Sequence, residues 1–492
     1  MAQKLSNTIL STLSSDVALP GYDRGALSRG ILHIGLGNFH RAHQAVYLDK
    51  LFSLGHDHDW ALVGASLRDN DKPVRSDLQE QDWLTTVVEL DPEGLTARIC
   101  GSMIDYAEIS PDAVIEALSD PAIRIVSLTI TEGGYFVDAT TGGLDTSHPD
   151  IQHDIKNMGD PKTVFGCIIA ALKIRHDRGA PPFTVMSCDN LPENGHVAKN
   201  SVIGLAKAQS VEFGTWIEEN VSFPNSMVDC ITPATSQREI DLVSSQFAIE
   251  DARPVVCEPF RQWVLEDDFS NGRPALEKVG VQFVSDVAPY ELMKLRILNG
   301  GHATIAYPAG LLDIHFVHDA MANPLVYGFL DKLERTEIIP TVPDIPGVSH
   351  QDYYATIVER FSNKAVGDTI PRLCHDGSNR QPKFILPVIE DRLSAGQSID
   401  GLALESALWC RYCYGETESG AKIEPNDPSW DQLQAQAVLA KQDAAQWLEM
   451  REIYGPLAEN EVFRSAFKSA LEAVWRDGTA ATLNSYISVQ CG

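Results

Sequence analysis

Apolar positions in the first half of the chain come as short unbroken runs, separated by segments with helical spacing. Gly30-Ile-Leu-His-Ile-Gly35 is such a run and ends in a glycine turn, after which His40 to Phe52 carries apolar residues at helical intervals. Trp60 to Leu67 is a second run, the β-branched stretch Ile123 to Ile130 a third, and Phe183 to Cys188 a fourth. Between the second and third, Ser110-Pro111-Asp112 marks a helix start, with a capping serine, proline at the first helical position and an acid in the first turn. Strands alternating with helices predict an α/β fold whose largely parallel sheet is covered by helices on both faces. Near Asp286 the pattern changes, and from Ala288 onward helical spacing dominates. Two domains are expected, an α/β domain over residues 1–286 and a mainly helical one over 287–492.

The first run flows into Gly35-Leu-Gly37-Asn-Phe-His40, which opens a helix. In that setting glycines let the chain turn tightly and approach a pyrophosphate at a helix N-terminus, the signature of a Rossmann-type dinucleotide-binding domain. The third glycine of the usual fingerprint is replaced by His40, and Arg41 could add a cation to a phosphate. A dinucleotide fold also places an acid after its second strand to hold the adenosine ribose. Asp69 and Asp71 are the candidates, and either would repel a 2′-phosphate and favour NAD over NADP; Arg68 and Lys72 beside them weaken that preference.

The densest chemistry lies in Pro289-Tyr-Glu-Leu-Met-Lys-Leu-Arg-Ile-Leu-Asn-Gly-Gly-His302. On an ideal helix of about 100° per residue, Glu291, Lys294, Asn299 and His302 fall within one arc of about 140°, with apolar residues around them. A helix apolar on nearly every side is a buried one. Burying a lysine, a glutamate, an asparagine and a histidine together costs several kcal/mol unless they are paired or used. One use is alcohol oxidation: a desolvated lysine accepts the hydroxyl proton, and asparagine and histidine donors steady the developing oxyanion. The bland alternative is a structural Lys–Glu pair beside a hydrogen-bonded histidine. Tyr290-x-x-x-Lys294 also matches the catalytic pair of short-chain dehydrogenases, but the glycine pattern of those chains is absent here, so the match is read as chance.

Composition narrows the field. A net charge of −29 repels nucleic acid and anionic membranes, both of which are bound through basic patches. No apolar run approaches the roughly 20 residues that span a bilayer, and residues 1–20 lack the pattern of a signal peptide. Nine scattered cysteines suit a reducing cytoplasm, and Cys410-x-x-Cys413 reads as buried helix cysteines rather than a zinc site.

Five motifs stand in order along the chain: Gly35-Leu-Gly-Asn-Phe-His-Arg-Ala-His-Gln44, Thr129-Ile-Thr-Glu-Gly-Gly-Tyr135, Ser187-Cys-Asp-Asn-Leu191, Phe223-Pro-Asn-Ser-Met-Val-Asp229 and Lys294-x-x-x-x-Asn299-x-x-His302. Together they resemble the polyol-specific long-chain dehydrogenase/reductase family over nearly the whole chain. The resemblance implies an NAD-dependent, metal-independent oxidoreductase that interconverts a polyol and a ketose, D-mannitol and D-fructose foremost, with D-sorbitol and D-arabinitol as other candidates. It implies Lys294 as general base, Asn299 and His302 as ligands of the reacting oxygen, and Glu291 as a proton relay. Substrate contacts then fall on Asn190, Asp229, Arg372 and Arg380. Cofactor contacts fall on Gly35, Gly37, Asn38, Phe39, Arg41, Thr131, Glu132, Asn190, Val228 and Asp229, with Asp71 favoured over Asp69 as the ribose acid. The site is expected in a cleft between the domains; the family is often monomeric, and the residues themselves leave monomer or oligomer open.

Two positions depart from the family pattern. Arg380 stands where a lysine is common, which keeps the charge and changes the reach. Cys230 stands where the family signature Val-Asp-Arg-Ile has its arginine, which removes a cation near Asp229. Two rival functions stay open at this point. One is a fructuronate-type reductase, whose substrate carboxylate would suit Arg372 and Arg380. The other is a non-catalytic NAD-binding regulator, supported by Cys230 alone.

Overall fold

The structure is a computed structural model that describes residues 2–138 and 141–489. The chain divides into two compact units, Met1–Ala288 and Pro289–Gly492. The first is built on a five-stranded, wholly parallel sheet. Its strands are β1 (Arg29–Ile34), β2 (Ala61–Ala65), β3 (Met103–Tyr106), β4 (Ile125–Leu128) and β5 (Thr184–Ser187), in spatial order β3-β2-β1-β4-β5. The strands read as continuous apolar runs because both faces are covered. Leu32, Val63 and Val126 pack on one face with Leu118 of α3 (Pro111–Ser119) and Ile168 of α4 (Val164–Asp177), while Ile31, Leu62 and Ile125 pack on the other with Val46 and Phe52. Alternate side chains on one strand thus serve two cores. The α/β expectation and the Ser110 cap hold: Ser110 Oγ accepts from the amide of Ala113 at 3.2 Å.

Two features of this unit differ from the sequence reading. The helix expected from His40 is two helices, α1 (Asn38–Ala42) and α2 (Gln44–Ser53), broken at His43 with φ −115° and ψ −91°. The His43 ring explains the break, since Nε2 lies 2.9 Å from the carbonyl of Gln262 and the ring stacks on Phe39 with centroids 4.9 Å apart. Besides the parallel sheet, the unit also holds a four-stranded sheet in which Thr85–Asp91 and Gly94–Cys100 form an antiparallel hairpin. After α5 (Asn194–Gln209) and α6 (Val211–Asn220) comes a three-stranded sheet, in which β6 (Ser226–Asp229) pairs antiparallel with Gln262–Glu266.

The second unit is helical, and its described residues hold no strand longer than an isolated bridge. α7 (Ala288–Met293) leads through a π-helical turn, Lys294–Asn299, into α8 (Gly300–Leu311). The sequence reading had one regular helix here. A π-turn takes in an extra residue, so positions from Gly300 onward are rotated relative to Glu291 and Lys294, and the ideal arc does not hold. Nor is the whole constellation buried: His302 is buried at 7% exposure, while Glu291, Lys294 and Asn299 are half-buried. α8 is buried at all but one of its positions, Gly310 being half-buried, and packs on α10 (Ile370–Cys374) and α12 (Asp400–Cys413), with α9 (His350–Phe361) and α11 (Gly377–Phe384) nearby in the chain. Cys410 and Cys413 lie buried on α12.

Candidate functional site

In the first unit the segments that follow β1, β2, β4 and β5 carry most of the expected cofactor residues at the carboxyl end of the parallel sheet, and Val228 and Asp229 end β6 of the three-stranded sheet. The chain leaves β1 in one direction toward β2 and in the other toward β4, so the β1/β4 boundary is the switch point where open α/β sheets bind ligands. Gly35 sits there with φ +96°, and a Cβ on it would lie 2.1 Å from the carbonyl oxygen of Thr129. Only glycine fits this turn. Gly37 is different: it is exposed, and the nearest atom to a Cβ built on it is the Gly35 carbonyl at 3.9 Å. Among the described residues nothing else comes near that position, which fits a dinucleotide backbone approaching there. Asn38 is fixed from below, its Nδ2 donating to Thr235 Oγ1 at 2.9 Å and to the Pro233 carbonyl at 3.2 Å.

Arg41 behaves unlike a phosphate-binding cation. It is buried, and its guanidinium donates to the Gly37 and Arg253 carbonyls and, at 2.7 Å, to Asn38 Oδ1. Burial lowers its pKa to about 10. Its visible work is to lock the turn. Behind the turn His33 and His40 stack with ring centroids 3.4 Å apart, and burial holds His33 down at about 3, so both rings are neutral inside the fold.

After β2 the two acids separate. Asp71 is half-buried and accepts from Ser66 Oγ at 2.5 Å at the strand end, whereas Asp69 is exposed and paired with Lys72 at 2.7 Å. Lys72 is thereby engaged by Asp69. After β4, Thr131 and Glu132 are exposed on a short turn, and Thr131 adopts φ 67°, ψ 163°, a region essentially reserved for glycine. Holding a threonine there costs on the order of 1–3 kcal/mol. After β5, Asn190 is exposed, and Val228 and Asp229 are buried at the end of β6. Cys230 follows, also buried. A cation does reach this region from elsewhere: Arg261 places Nη2 3.1 Å from Cys257 Sγ and Nη1 2.6 Å from Glu89, and the Cys257 thiol neighbours that of Cys230.

In the second unit Lys294, Asn299 and His302 share one continuous segment, with Lys294 and Asn299 at the two ends of the π-turn. π-turns inside helices recur at functional sites because they aim side chains off the regular wheel. His302 stacks on Phe361 with centroids 4.2 Å apart. Its pKa is driven well below the ordinary value by burial first, and then by the guanidinium charges of Arg372, Arg380 and Arg360. Arg372 and Arg380 were expected near the substrate. Arg372 is paired bidentately with Asp368 at 2.6 and 2.5 Å, and Arg380 donates to the Leu373 carbonyl at 2.7 Å. Arg360 was missed by sequence reasoning; it lies on α9 amid ordinary helical spacing, and only the fold brings it to His302. Asp189 was missed as well, although it stands inside a quoted motif.

The family models agree with this layout. Residues 29–278 match the mannitol dehydrogenase Rossmann domain, and residues 286–475 match the mannitol dehydrogenase C-terminal domain. The chain belongs to the mannitol dehydrogenase family. Mannitol 2-dehydrogenase of Cereibacter sphaeroides is 56% identical over 478 residues, covering 97% of this chain and all of that protein. Among solved structures, Pseudomonas fluorescens mannitol 2-dehydrogenase in ternary complex with NAD and D-mannitol is 42% identical, with a TM-score of 0.87 over 99% of this chain and 100% of that one. A substrate-free D-sorbitol dehydrogenase is 36% identical, with a TM-score of 0.91 over 98% of this chain and 100% of that one. The Rossmann-type architecture and the family resemblance read from the sequence are both borne out. Among the described residues no helix is long and apolar enough to cross a membrane.

Proposed function

We propose that this chain, an NAD-dependent polyol dehydrogenase by family, oxidises D-mannitol to D-fructose and reduces D-fructose in the reverse direction, with Lys294 as the general base. The observation that carries this reading is the Lys294–Asn299–His302 segment, bent by a π-turn and followed by a neutral, buried imidazole, in a chain 56% identical to a mannitol 2-dehydrogenase. The turn around Gly35 and Gly37, the acid at Asp71 and the exposed Thr131, Glu132 and Asn190 are the groups that would hold NAD, which when bound supplies the hydride acceptor. Lys294 takes the hydroxyl proton as the carbon–hydrogen bond breaks. Asn299 and His302 donate to the oxygen as charge develops on it; His302 can do so in its neutral form, because a neutral imidazole still carries one N–H. Glu291, one helical turn before Lys294, passes the proton onward. Because Lys294 must be neutral to act, oxidation fails as pH falls, while ketose reduction persists. The same chemistry applies to D-sorbitol and D-arabinitol with reordered preference, and we place the protein in the cytoplasm.

The test is NADH formation at about pH 9 on D-mannitol, D-sorbitol and D-arabinitol, by the wild type and by Lys294→Ala. Removing a general base lowers turnover by about 10²–10⁴-fold. Wild-type turnover of D-mannitol with a loss of that size in the variant supports the proposal. Unaltered turnover in Lys294→Ala overturns the base assignment. Activity confined to D-fructuronate would replace the substrate class with a sugar acid.

A further inference from the structure

Thr131 poses a physical question. It is not glycine, it lies on an exposed turn, and it is held at φ 67°, ψ 163°. Contacts within the fold must hold it there. The answer is Asp189, a buried carboxylate at 8% exposure on the segment just after β5. Its Oδ2 accepts from the amide of Ile130 and its Oδ1 from the amide of Thr131, each at 2.9 Å. These two bonds hold the peptide unit ahead of Thr131, and the Thr131 carbonyl accepts from the amide of Gly134 at 3.0 Å, so the backbone is held on both sides of the Thr131 Cα and with it φ of Thr131. The carboxylate is itself anchored: Tyr135 at the far end of the same turn donates its hydroxyl to Asp189 Oδ2 at 2.7 Å, and that hydroxyl lies 2.6 Å from Ser187 Oγ on β5. The Asp189 carbonyl, for its part, accepts from Asn194 Nδ2 at 2.9 Å. One side chain thus ties the turn carrying Thr131 and Glu132 to the strand end carrying Asn190.

We propose that Asp189 is a positioning residue, which holds Thr131 in a glycine-only backbone conformation so that the 131–132 turn and Asn190 present a pre-formed face to the coenzyme. The proposal rests on the NAD-dependent reading above. Without the clamp, the Ile130–Thr131 peptide rotates, Thr131 relaxes to an ordinary extended conformation, and the turn must be reordered each time NAD binds. Pre-organisation of this kind appears in the binding constant and not only in stability.

The experiment measures the NAD dissociation constant of the full chain without polyol, by quenching of tryptophan fluorescence, alongside Tm. Asp189→Asn keeps one acceptor oxygen and turns an NH₂ toward the second amide, and is expected to raise the constant by about tenfold. Adding Thr131→Gly should remove most of that effect, so that Asp189→Asn changes the constant by less than about threefold in the glycine background, because glycine adopts this conformation freely. A merely structural Asp189 predicts a lower Tm with an unchanged dissociation constant, and that result overturns the proposal. So does an equal loss in both backgrounds. Should Asp189→Asn fail to fold, Tyr135→Phe keeps both amide bonds but frees the carboxylate, and should weaken NAD by about two- to threefold; an unchanged constant there overturns the proposal too. Wild-type NAD binding without polyol turnover would sink the proposed reaction and leave the role of Asp189 standing.

Discussion

Replacing Glu405 by glutamine should stabilise the helical unit, by an amount that grows with pH. Glu405 lies at the centre of α12 with no exposed surface, and burial raises its pKa from 4.5 to about 8, offset in part by one hydrogen bond from Gln381 Nε2 to Oε1 at 2.6 Å. Its other oxygen has no hydrogen-bond partner among the described residues. In the unfolded chain this carboxyl ionises near 4.5; in the folded chain it keeps its proton to about 8. The folded state therefore binds more protons throughout that window, and the stability present at low pH is lost as pH rises through it. At 1.36 kcal/mol per pH unit, the loss is roughly 3 kcal/mol at pH 7 and roughly 4 kcal/mol at pH 8. Glutamine keeps an acceptor for Gln381 and carries no ionisable proton, although its second N–H gives back about 1–2 kcal/mol if it finds no partner. The net gain at neutral pH is then on the order of 1–2 kcal/mol. The pH slope is the firmer quantity, since it is free of that offset. Urea unfolding of the wild type and Glu405→Gln at pH 5, 6, 7 and 8 should show their stability difference widening by roughly 3 kcal/mol across the series. A difference that stays flat with pH would refute the reasoning, because it would mean that Glu405 ionises alike in both states.

Other consequences follow from the first unit. Gly35→Ala places a methyl group 2.1 Å from the Thr129 carbonyl at φ +96° and should destabilise by at least about 3 kcal/mol or prevent folding, as thermal unfolding will show. Gly37→Ala meets nothing nearer than 3.9 Å among the described residues, so its Tm should match the wild type while NAD affinity falls by about tenfold; unchanged affinity would mean that no coenzyme backbone approaches there. Asp71→Ala should lower the NAD/NADP preference in kcat/KM by about tenfold, whereas Asp69→Ala, which removes only an exposed partner of Lys72, should leave it within about twofold.

Much of this protein is local physics, and that part was legible in the residues. The apolar runs at 30–35, 60–67, 123–130 and 183–188 became parallel strands because a strand covered on both faces favours apolar residues at most positions on both sides. Ser110 capped its helix, and Gly35 turned where only glycine can turn. Family motifs carried the rest of the architecture, since five of them in order constrain a chain more than any single spacing does. What tertiary structure decided is whatever depends on partners distant in sequence. Helical spacing at 40–52 gave no sign of the break at His43, which follows from a bond to Gln262 more than 200 residues away. The wheel drawn through Lys294 assumed one rise and rotation per residue, and the π-turn at Lys294–Asn299 changes both. Cys230 removes a family cation, yet Arg261 comes in beside Cys257, and Thr131, an expected cofactor contact, has the Asp189 carboxylate on its amide. Periodicity reports which face of an element is buried. Only the fold reports what that face is buried against, and the chemistry of a site is set by the second.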